Sequence, residues 1–200
     1  MRVISGRFKG VALTTPKAGT RPTTDRTKEA IFSHLDSWGV LGDARVLDLF
    51  AGTGALGIEA LSRGARELVA VEANGPAASL IAKTLTALKH QRAWRPDMSA
   101  RVIKVRAERF AAPAAGAGAR SFDVIFIDPP YAFETQACER LLADLVASGM
   151  AGERTVIVLE RSARSEEPAM PGGWEISERR DYGETAVFYL EASVPAIDGE

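Results

Sequence analysis

Apolar residues recur along this chain in short runs that alternate with longer amphipathic stretches. Short runs rich in Val, Ile, Leu and Phe are typical of strands buried on both faces, and the stretches between them have helical spacing. The predicted strands are Arg45–Phe50, Glu67–Glu72, Arg101–Val105, a strand within Phe122–Tyr131 that ends at Asp128, and Thr155–Glu160. The predicted helices are Ala55–Arg63, Pro76–His90 and Thr135–Ser148. This alternation predicts a parallel sheet with helices on both faces.

The last predicted elements break the alternation. Two β-like runs, Trp174–Arg179 and Thr185–Leu190, are separated by only a short turn. A connection this short predicts an antiparallel pair. The expected fold is therefore α/β, with a mostly parallel seven-stranded sheet and an antiparallel C-terminal hairpin strand.

The N-terminal residues predict a small extension to this sheet. Arg2–Gly6 and Gly10–Leu13 alternate as in a hairpin, and Thr23 or Thr24 is placed to cap a helix over Asp25–Trp38. A chain of 200 residues, 46% of them hydrophobic, suffices for one well-cored domain. We therefore expect a hairpin-and-helix extension in residues 1–40, a main domain in 41–193 and a disordered tail in 194–200.

Charge is distributed unevenly along the chain. The formal net charge of −1 is not that of a strongly basic nucleic-acid binder. Residues 1–28 nevertheless contain seven basic residues against Asp25 alone. Such an arm could bind phosphate, or it could be a solvated and mobile terminus, and charge alone leaves both interpretations open.

The single cysteine and the two histidines favour neither a disulfide framework nor a metal site. Cys138 falls in a predicted helix, His34 is expected to pack on a helix face, and His90 lies at a predicted helix end. No apolar stretch is long enough to span a bilayer, and the basic N-terminus lacks the apolar run of a signal peptide. We expect a soluble cytoplasmic protein that needs no metal.

Two segments interrupt the order of strands and helices. Ala111–Ala119 is rich in Ala, Pro and Gly, which predicts a flexible surface loop. Gln91–Ala100 is polar and holds Trp94 among arginines. A ring in this setting could contact RNA, but a tryptophan that packs back on the domain is the favoured interpretation.

A glycine-rich turn follows the first predicted strand. Gly52, Gly54 and Gly57 form G-x-G-x-x-G between a strand and a helix, where glycine permits a tight turn and close approach of a ligand. Glu72 ends the second strand, where a carboxylate can hold both hydroxyls of a ribose. Together these features favour a cofactor that contains a nucleoside over a purely structural turn.

The surroundings of the turn favour one such cofactor. Asp48 lies near the end of the first strand, and a carboxylate there suits a cationic amino-acid group better than a pyrophosphate. Hydride transfer from a dinucleotide would also need a proton-handling site, for which we find no candidate. S-adenosylmethionine, with Asp48 near its methionine end, is therefore the favoured cofactor.

The fourth strand ends in Asp128-Pro129-Pro130-Tyr131. The two prolines cannot donate backbone hydrogen bonds and they stiffen the turn, so its carbonyls are free to accept. A carboxylate, free carbonyls and an aromatic face suit a flat, amine-bearing ring that is held by stacking and by acceptance of its N–H protons. Asp128 alone could equally begin a turn before the prolines, but the glycine turn upstream favours a catalytic role.

These motifs, in this order, resemble the Rossmann-like, class I S-adenosylmethionine-dependent methyltransferases that modify exocyclic amines of bases. The residues that carry this resemblance are Leu47–Gly54, Glu72 and Asp128–Tyr131. More narrowly, the segments Ser5–Gly10, Arg21–Phe32 and Tyr182–Thr185 resemble the bacterial RsmD family. That family methylates the N2 amine of one guanine in 16S ribosomal RNA of the small subunit. The resemblance extends over nearly the whole chain.

The resemblance implies positions for the cofactor, the target base and the RNA. The implied cofactor site comprises Asp48, Phe50, Ala51, Gly52, Gly54, Gly57, Glu72, Ala73, Ala107, Glu108 and Asp128. The implied catalytic residues are Asp128, Pro129, Pro130 and Tyr131, and the implied RNA contacts are Arg7, Lys9, Arg21, Thr24 and Arg26.

The chain departs from the family after the third strand. Where the family often has Asp or Asn to meet the adenine amine of the cofactor, this chain has Arg106, which cannot accept a hydrogen bond. Either the Glu108 side chain or the backbone of Ala107 would then make that contact.

The resulting hypothesis is methyl transfer from S-adenosylmethionine to guanine N2 in 16S ribosomal RNA, within a small subunit or an assembly intermediate, by a monomer. Asp128 and the Pro129 carbonyl would accept the amine protons, and Tyr131 would stack on a base swung out of the RNA. DNA adenine methylation is disfavoured because so short a chain leaves little room for a target-recognition domain. A nucleotide-dependent oxidoreductase and a catalytically silent RNA-binding ribosome assembly factor are the further alternatives.

Overall fold

The computed structural model describes residues 1–15, 23–113 and 120–195, and within them one sheet forms the centre of the molecule. Its strands are β1 (Arg45–Leu49), β2 (Glu67–Val71), β3 (Ser99–Ile103), β4 (Phe122–Ile127), β5 (Ala151–Ser162), β6 (Trp174–Tyr182) and β7 (Thr185–Ala192). The helices are α1 (Asp25–Trp38), α2 (Ala55–Ser62), α3 (Gly75–Lys89), α4 (Ala107–Ala111) and α5 (Thr135–Ala147).

The strands lie in the order β3-β2-β1-β4-β5-β7-β6. The five strands from β3 to β5 are parallel, and β7 lies antiparallel between β5 and β6. The carboxyl ends of the parallel strands therefore share one edge of the sheet. Strands β2 and β3 follow β1 on one side of the sheet, and β4 and β5 lie on the other side of β1. The strand order therefore reverses between β1 and β4. In open α/β sheets, ligands bind in the crevice at such a reversal.

Alternate residues of each central strand enter two separate cores. In β4, Val124 and Phe126 face the core that contains side chains of α1, α2 and α3. Ile125 and Ile127 face the opposite core, which contains side chains of α4 and α5. Burial on both faces explains why the strands are nearly continuous apolar runs in the sequence.

The N-terminal residues are part of the first of these cores. Val3 and Phe8 are buried there, and the Phe32 ring of α1 lies 5.6 Å from the Phe126 ring of β4. The predicted hairpin is reduced to a single antiparallel bridge between Arg2 and Ala12. The extension thus packs as an integral layer on the sheet.

A buried ion pair ties the N-terminal segment to α2. The Lys28 ammonium lies 3.7 Å from the Glu59 carboxylate, and both side chains are fully buried. Lys28 also donates to the Arg2 carbonyl at 3.0 Å, and Glu59 accepts from the backbone N–H of Ile4 at 3.0 Å. These bonds satisfy charges that would otherwise be costly to bury.

Several local predictions are confirmed. The bounds of α1 are as predicted, and Thr24 caps it by accepting from the Thr27 N–H at 3.2 Å. Trp94 packs back on the domain, with its ring 6.2 Å from that of Phe8. His34 packs on a helix face, with its ring 4.5 Å from that of Tyr189.

The differences from the predicted elements include the bounds of two strands and one further helix. The edge strand β3 begins at Ser99 and not at Arg101, because its register is set by pairing with β2 and not by its own weakly apolar pattern. The strand β5 is longer than Thr155–Glu160, because pairing with β7 continues to Ser162. Helix α4, too short to show a helical period, was not predicted.

Some predictions fall on positions outside the described residues. These are residues 114–119 of the expected loop, residues 196–200 of the expected tail, and Arg21. Among the helices that the structure does describe, none combines the length and apolar character needed to cross a membrane.

Candidate active site

The predicted motif residues meet at the carboxyl edge of the parallel strands. Leu49 at the end of β1 pairs with Val71 of β2 on one side and with Ile127 of β4 on the other. The glycine turn, Glu72 and Asp128 each follow directly after these paired residues. The strand reversal between β1 and β4 therefore brings together motifs that are far apart in sequence.

Glu72 fastens the glycine turn to the second strand. One of its carboxylate oxygens accepts from the Gly52 N–H at 2.7 Å, and the other accepts from the Asn74 N–H at 2.8 Å. Phe50, at the start of the turn, has a φ of 57°, an unfavourable conformation for a bulky residue. A carboxylate oxygen has two lone pairs, so Glu72 can accept from sugar hydroxyls without releasing the turn.

Asp48 holds the start of α2 against β1. Its side chain is 1% exposed, and one carboxylate oxygen accepts from the Gly57 N–H at 2.9 Å. A Cβ at position 57 would lie 2.5 Å from a Leu68 methyl group and 3.1 Å from that Asp48 oxygen. Glycine is therefore needed for close packing between helix and strand. Burial raises the pKa of Asp48 well above its usual range.

Asp128 is joined to two side chains that the sequence analysis did not place in the site. The Thr23 hydroxyl lies 3.2 Å from an Asp128 carboxyl oxygen and 3.2 Å from a Glu160 carboxyl oxygen. Burial raises the pKa of Asp128 to about 6, although hydrogen bonds from Thr23 and Glu160 oppose this effect. Burial also raises the pKa of Glu160 well above its usual range, and the neighbouring Asp128 charge raises it further.

Hydrogen bonds from a residue of β5 hold the turn after Asp128. The buried Arg161 donates to the Phe133 carbonyl at 2.7 Å and to the Thr135 hydroxyl at 3.3 Å. The Phe133 N–H in turn donates to the Pro130 carbonyl at 2.9 Å. Among the described residues, none donates a hydrogen bond to the Pro129 carbonyl, so that acceptor is open.

Aromatic side chains flank this turn. The rings of Phe133 and Phe50 meet edge to face with centroids 5.2 Å apart, which links the turn after β4 to the glycine turn. The side chain of Tyr131 is 84% exposed. Its ring face is thus available to stack on a planar ligand.

The residues after β3 lie at the same edge. Ala107 is buried at the first position of α4 and Glu108 is half-buried behind it. Arg106 is exposed, and its guanidinium lies 3.8 Å from the Glu108 carboxylate. Ala73 is exposed directly after Glu72. This geometry keeps both Glu108 and the backbone of Ala107 as candidates for the adenine contact.

The predicted RNA contacts divide into two groups. Thr24 and Arg26 are close to the site, beside the Thr23 that contacts Asp128. They line a pocket of about 300 Å³ together with Thr27, Asp181, Tyr182 and Gly183. Arg7 lies at the other edge of the sheet, where its N–H donates to the Ser62 carbonyl at the end of α2, and Lys9 is in the same turn. The structure does not bring Arg7 and Lys9 to the site.

Four site residues escaped the sequence analysis: Thr23, Phe133, Glu160 and Arg161. A usable signal existed for one of them, because Glu160 was predicted to end a buried strand, where a carboxylate is unusual. Thr23 was expected as a possible helix cap, within a segment that the resemblance implies to lie near the cofactor or the RNA, but it was not singled out as a contact. Phe133 and Arg161 carry no motif, and only the fold places them beside the turn.

The strand order, the acidic end of β2 and the Asp-Pro-Pro-Tyr turn after β4 together define the Rossmann-like methyltransferase fold, as the sequence predicted. The solved structure of the Escherichia coli protein yhhF superimposes with a TM-score of 0.81, covering 96% of this chain and 98% of that one at 31% identity. The chain belongs to the RsmD family: the family model described as "Conserved hypothetical protein 95" matches residues 1–191.

Two relatives show how far the similarity extends. "Ribosomal RNA small subunit methyltransferase D" of Escherichia coli strain K12 is 32% identical over 187 residues, which cover 93% of this chain and 87% of that protein. YlbH of Bacillus subtilis strain 168 is 38% identical over 191 residues, which cover 94% and 96%. The aligned regions therefore include both the glycine-turn half and the Asp128 half of the site.

Proposed function

We propose that this protein transfers a methyl group from S-adenosylmethionine to the exocyclic N2 amine of a guanine in 16S ribosomal RNA of the small subunit. The observation that carries the proposal is the position of Asp128, one strand away from a glycine turn held by Glu72, in a chain of the RsmD family. The relative named as a small-subunit ribosomal RNA methyltransferase supports the RNA substrate.

The residues at the edge of the sheet fit the proposed cofactor. Glu72 would hold its ribose hydroxyls, and the turn from Phe50 to Gly54 would approach the ligand through backbone atoms. Ala107 or Glu108 would contact the adenine, since both lie at the end of the neighbouring β3. When bound, S-adenosylmethionine supplies a methyl group that is already activated, so the main task of the protein is placement.

The chain's own groups would prepare the target amine. The lone pair of a guanine N2 is delocalised into the ring, which makes the amine a weak nucleophile. Asp128 and the open carbonyl of Pro129 would accept its two N–H protons and favour a more pyramidal nitrogen. The exposed Tyr131 ring would stack on the base, which must leave its helical stack to reach this edge of the sheet.

The RNA would approach over the N-terminus of α1. Thr24 and Arg26 line the pocket beside Tyr182 and Gly183, and Arg26 could contact an RNA phosphate there. Arg7 and Lys9 lie at the far edge and would reach only a more distant part of the RNA. Charge reversal at Arg26 should weaken RNA binding and reduce its dependence on salt concentration, as expected for the loss of a phosphate contact.

The test is methylation in vitro. The protein is incubated with radiolabelled S-adenosylmethionine and either free 16S RNA or small subunits from cells that lack the enzyme, and the methylated nucleotide is mapped. We expect label on guanine N2, lost in Asp128→Ala although cofactor binding remains. Asp123→Ala is the matched control, because Asp123 is an exposed carboxylate at the opposite end of β4. Label on a nucleotide other than guanine, or normal turnover by Asp128→Ala, would refute the proposal.

A further inference from the structure

Glu160 lies beside Asp128 and takes no direct part in holding the proposed cofactor or the target amine. In the parallel pair of β4 and β5, Ile127 is opposite Leu159, so the next residues, Asp128 and Glu160, are neighbours across the strands. Successive residues alternate between faces, so the two carboxyls point to the same side of the sheet. Glu160 is only 6% exposed.

Glu160 is buried and Asp128 is half-buried, and two carboxyls this close cannot both be ionised at low cost, because like charges in a low-dielectric setting repel strongly. The Glu160 side chain lowers the pKa of Asp128, whereas Asp128 raises the pKa of Glu160. These opposite directions are those expected when Glu160 keeps a proton and presents it to an ionised Asp128.

The Thr23 hydroxyl gives independent geometric evidence for that proton. Its oxygen lies 3.2 Å from an Asp128 oxygen, and 3.3 and 3.2 Å from the two Glu160 oxygens. A hydroxyl has a single proton to donate. If both carboxyls were ionised, that proton could serve only one of them; with Glu160 protonated, Thr23 donates to one carboxyl oxygen and Glu160 donates to Asp128, so each carboxyl takes part in a hydrogen bond.

We propose that Glu160 is a positioning residue for methyl transfer: it remains a neutral carboxylic acid, donates its proton to one oxygen of Asp128, and leaves the other oxygen ionised and aimed at the target amine. This inference rests on the proposed function for its substrate but on Thr23, Asp128 and Glu160 alone for its geometry.

The arrangement also provides a place for the proton that the reaction releases. When bound, S-adenosylmethionine would supply the methyl group and keep the electron pair of the broken carbon–sulfur bond, so the newly methylated amine nitrogen would carry the positive charge. That nitrogen then gives one N–H proton to the free oxygen of Asp128. Asp128 is neutral at that point, and the proton passes to solvent when the product leaves.

Other groups face the pair, and none of them replaces Glu160 as donor. Asp48 of β1 raises the pKa of Glu160 through its charge, but its own hydrogen bond is with Gly57. Burial raises the pKa of Tyr189 of β7, so its phenol keeps its proton, but its buried hydroxyl has no hydrogen-bond partner among the described residues and therefore does not donate to the pair. Burial is the main cause of the raised pKa of Asp128, and hydrogen bonds with Thr23 and Glu160 act against it.

The first test is the pH dependence of single-turnover methyl transfer, measured for substitutions at one position. The rate should fall at low pH as Asp128 becomes protonated, and we call this fall the acid limb of the profile. Glu160→Gln keeps a neutral donor, so the midpoint of the acid limb should stay near pH 6, the pKa of Asp128. Glu160→Leu has similar volume but no donor, and its acid limb should move up by about one pH unit or more, the scale at which paired groups are coupled. Thr23→Val removes the other donor and should move the limb in the same direction.

The matched control is Glu153→Gln, an exposed carboxylate at the far end of the same strand β5, which should leave the profile unchanged. A purely structural Glu160 would give lower rates in both variants with an unmoved acid limb. A limb that falls well below pH 6 in Glu160→Gln would show that Glu160 is the ionised partner. Either outcome overturns the inference.

The second test needs no RNA. Carbon-13 resonances of the side-chain carboxyls are followed from pH 4 to pH 9; Asp128 should titrate near pH 6, with Glu160 still protonated. The Asp128 midpoint should rise in Glu160→Leu and in Thr23→Val, so failure of the Leu variant to fold leaves the Val variant to decide. If the wild type methylates no RNA, the proposed function fails while this titration still decides the pairing. If RNA is methylated and the midpoint does not respond, only the inference fails.

Discussion

Replacement of Asp128 by asparagine should stabilise this protein in a pH-dependent way. The folded state keeps a proton on Asp128 up to about pH 6, because burial raises the pKa of that carboxyl, whereas an unfolded chain releases the same proton near its usual value of 3.8. Between these values the folded state binds more protons than the unfolded state, so stability falls as the pH rises. Asparagine has no charge to bury, and its amide oxygen can still accept from Glu160.

The size of the effect follows from that difference in pKa. The shift is about two pH units, and one unit corresponds to about 1.4 kcal/mol, so ionised Asp128 costs on the order of 3 kcal/mol at pH 8. Asp128→Asn should recover about this amount at pH 8 and almost none at pH 4. For a chain of this length, 1 kcal/mol corresponds to roughly 2 to 4 °C in Tm, so the gain at pH 8 should be about 6 to 12 °C.

Urea unfolding of both proteins at pH 4, 6 and 8 measures this effect directly. A change in packing alters the free energy of unfolding by the same amount at every pH. The variation with pH of the difference in free energy between the two proteins therefore reports the charge of Asp128. Asp123→Asn, at the exposed end of the same strand, should show no gain. A difference in stability that does not change with pH would refute the assignment of a costly buried charge to Asp128. The stabilised variant should be catalytically impaired, as is common where function requires strain.

Three further predictions concern the supports of the site. Gly57→Ala should destabilise the fold by about 1 to 2 kcal/mol in urea unfolding, because the added methyl group overlaps Leu68, whereas Gly42→Ala, with open space around it, should not. Arg161→Gln should cost about 2 kcal/mol by the same assay and increase hydrogen exchange at Phe133, since the charged bond to that carbonyl is lost. Cys138 is buried with a pKa raised to about 11, so iodoacetamide should label it at pH 8 only after denaturation.

The architecture was predictable from sequence because its signals are local. Continuous apolar runs such as that of β4 indicate strands buried on both faces, and Thr24 and Gly39 mark the ends of α1 by capping chemistry. The glycine turn, Glu72 and Asp128 were predictable as site residues because each follows directly after a strand. The confirmed family membership agrees with the narrower resemblance, which rested on the segments Ser5–Gly10, Arg21–Phe32 and Tyr182–Thr185.

Other features depended on pairing between distant segments. The start of β3 and the length of β5 are set by neighbouring strands, and no local pattern encodes them. Likewise, Arg7 and Thr24 both belong to the basic N-terminal segment, yet packing on α2 places Arg7 at one edge of the sheet and leaves Thr24 at the other.

By itself, the sequence determined the class of fold, the turn that suits a nucleoside-containing cofactor and the carboxylate at the end of β4, because periodicity and strand-end chemistry are properties of short segments. Only the tertiary structure decided the electrostatic state of that carboxylate. The pKa of Asp128 depends on burial and on two side chains, Thr23 and Glu160, that lie 105 and 32 positions away in sequence. Hydrogen bonds and dielectric environment depend on distance in space, and only the sheet together with the packing of α1 on it brings these three groups together.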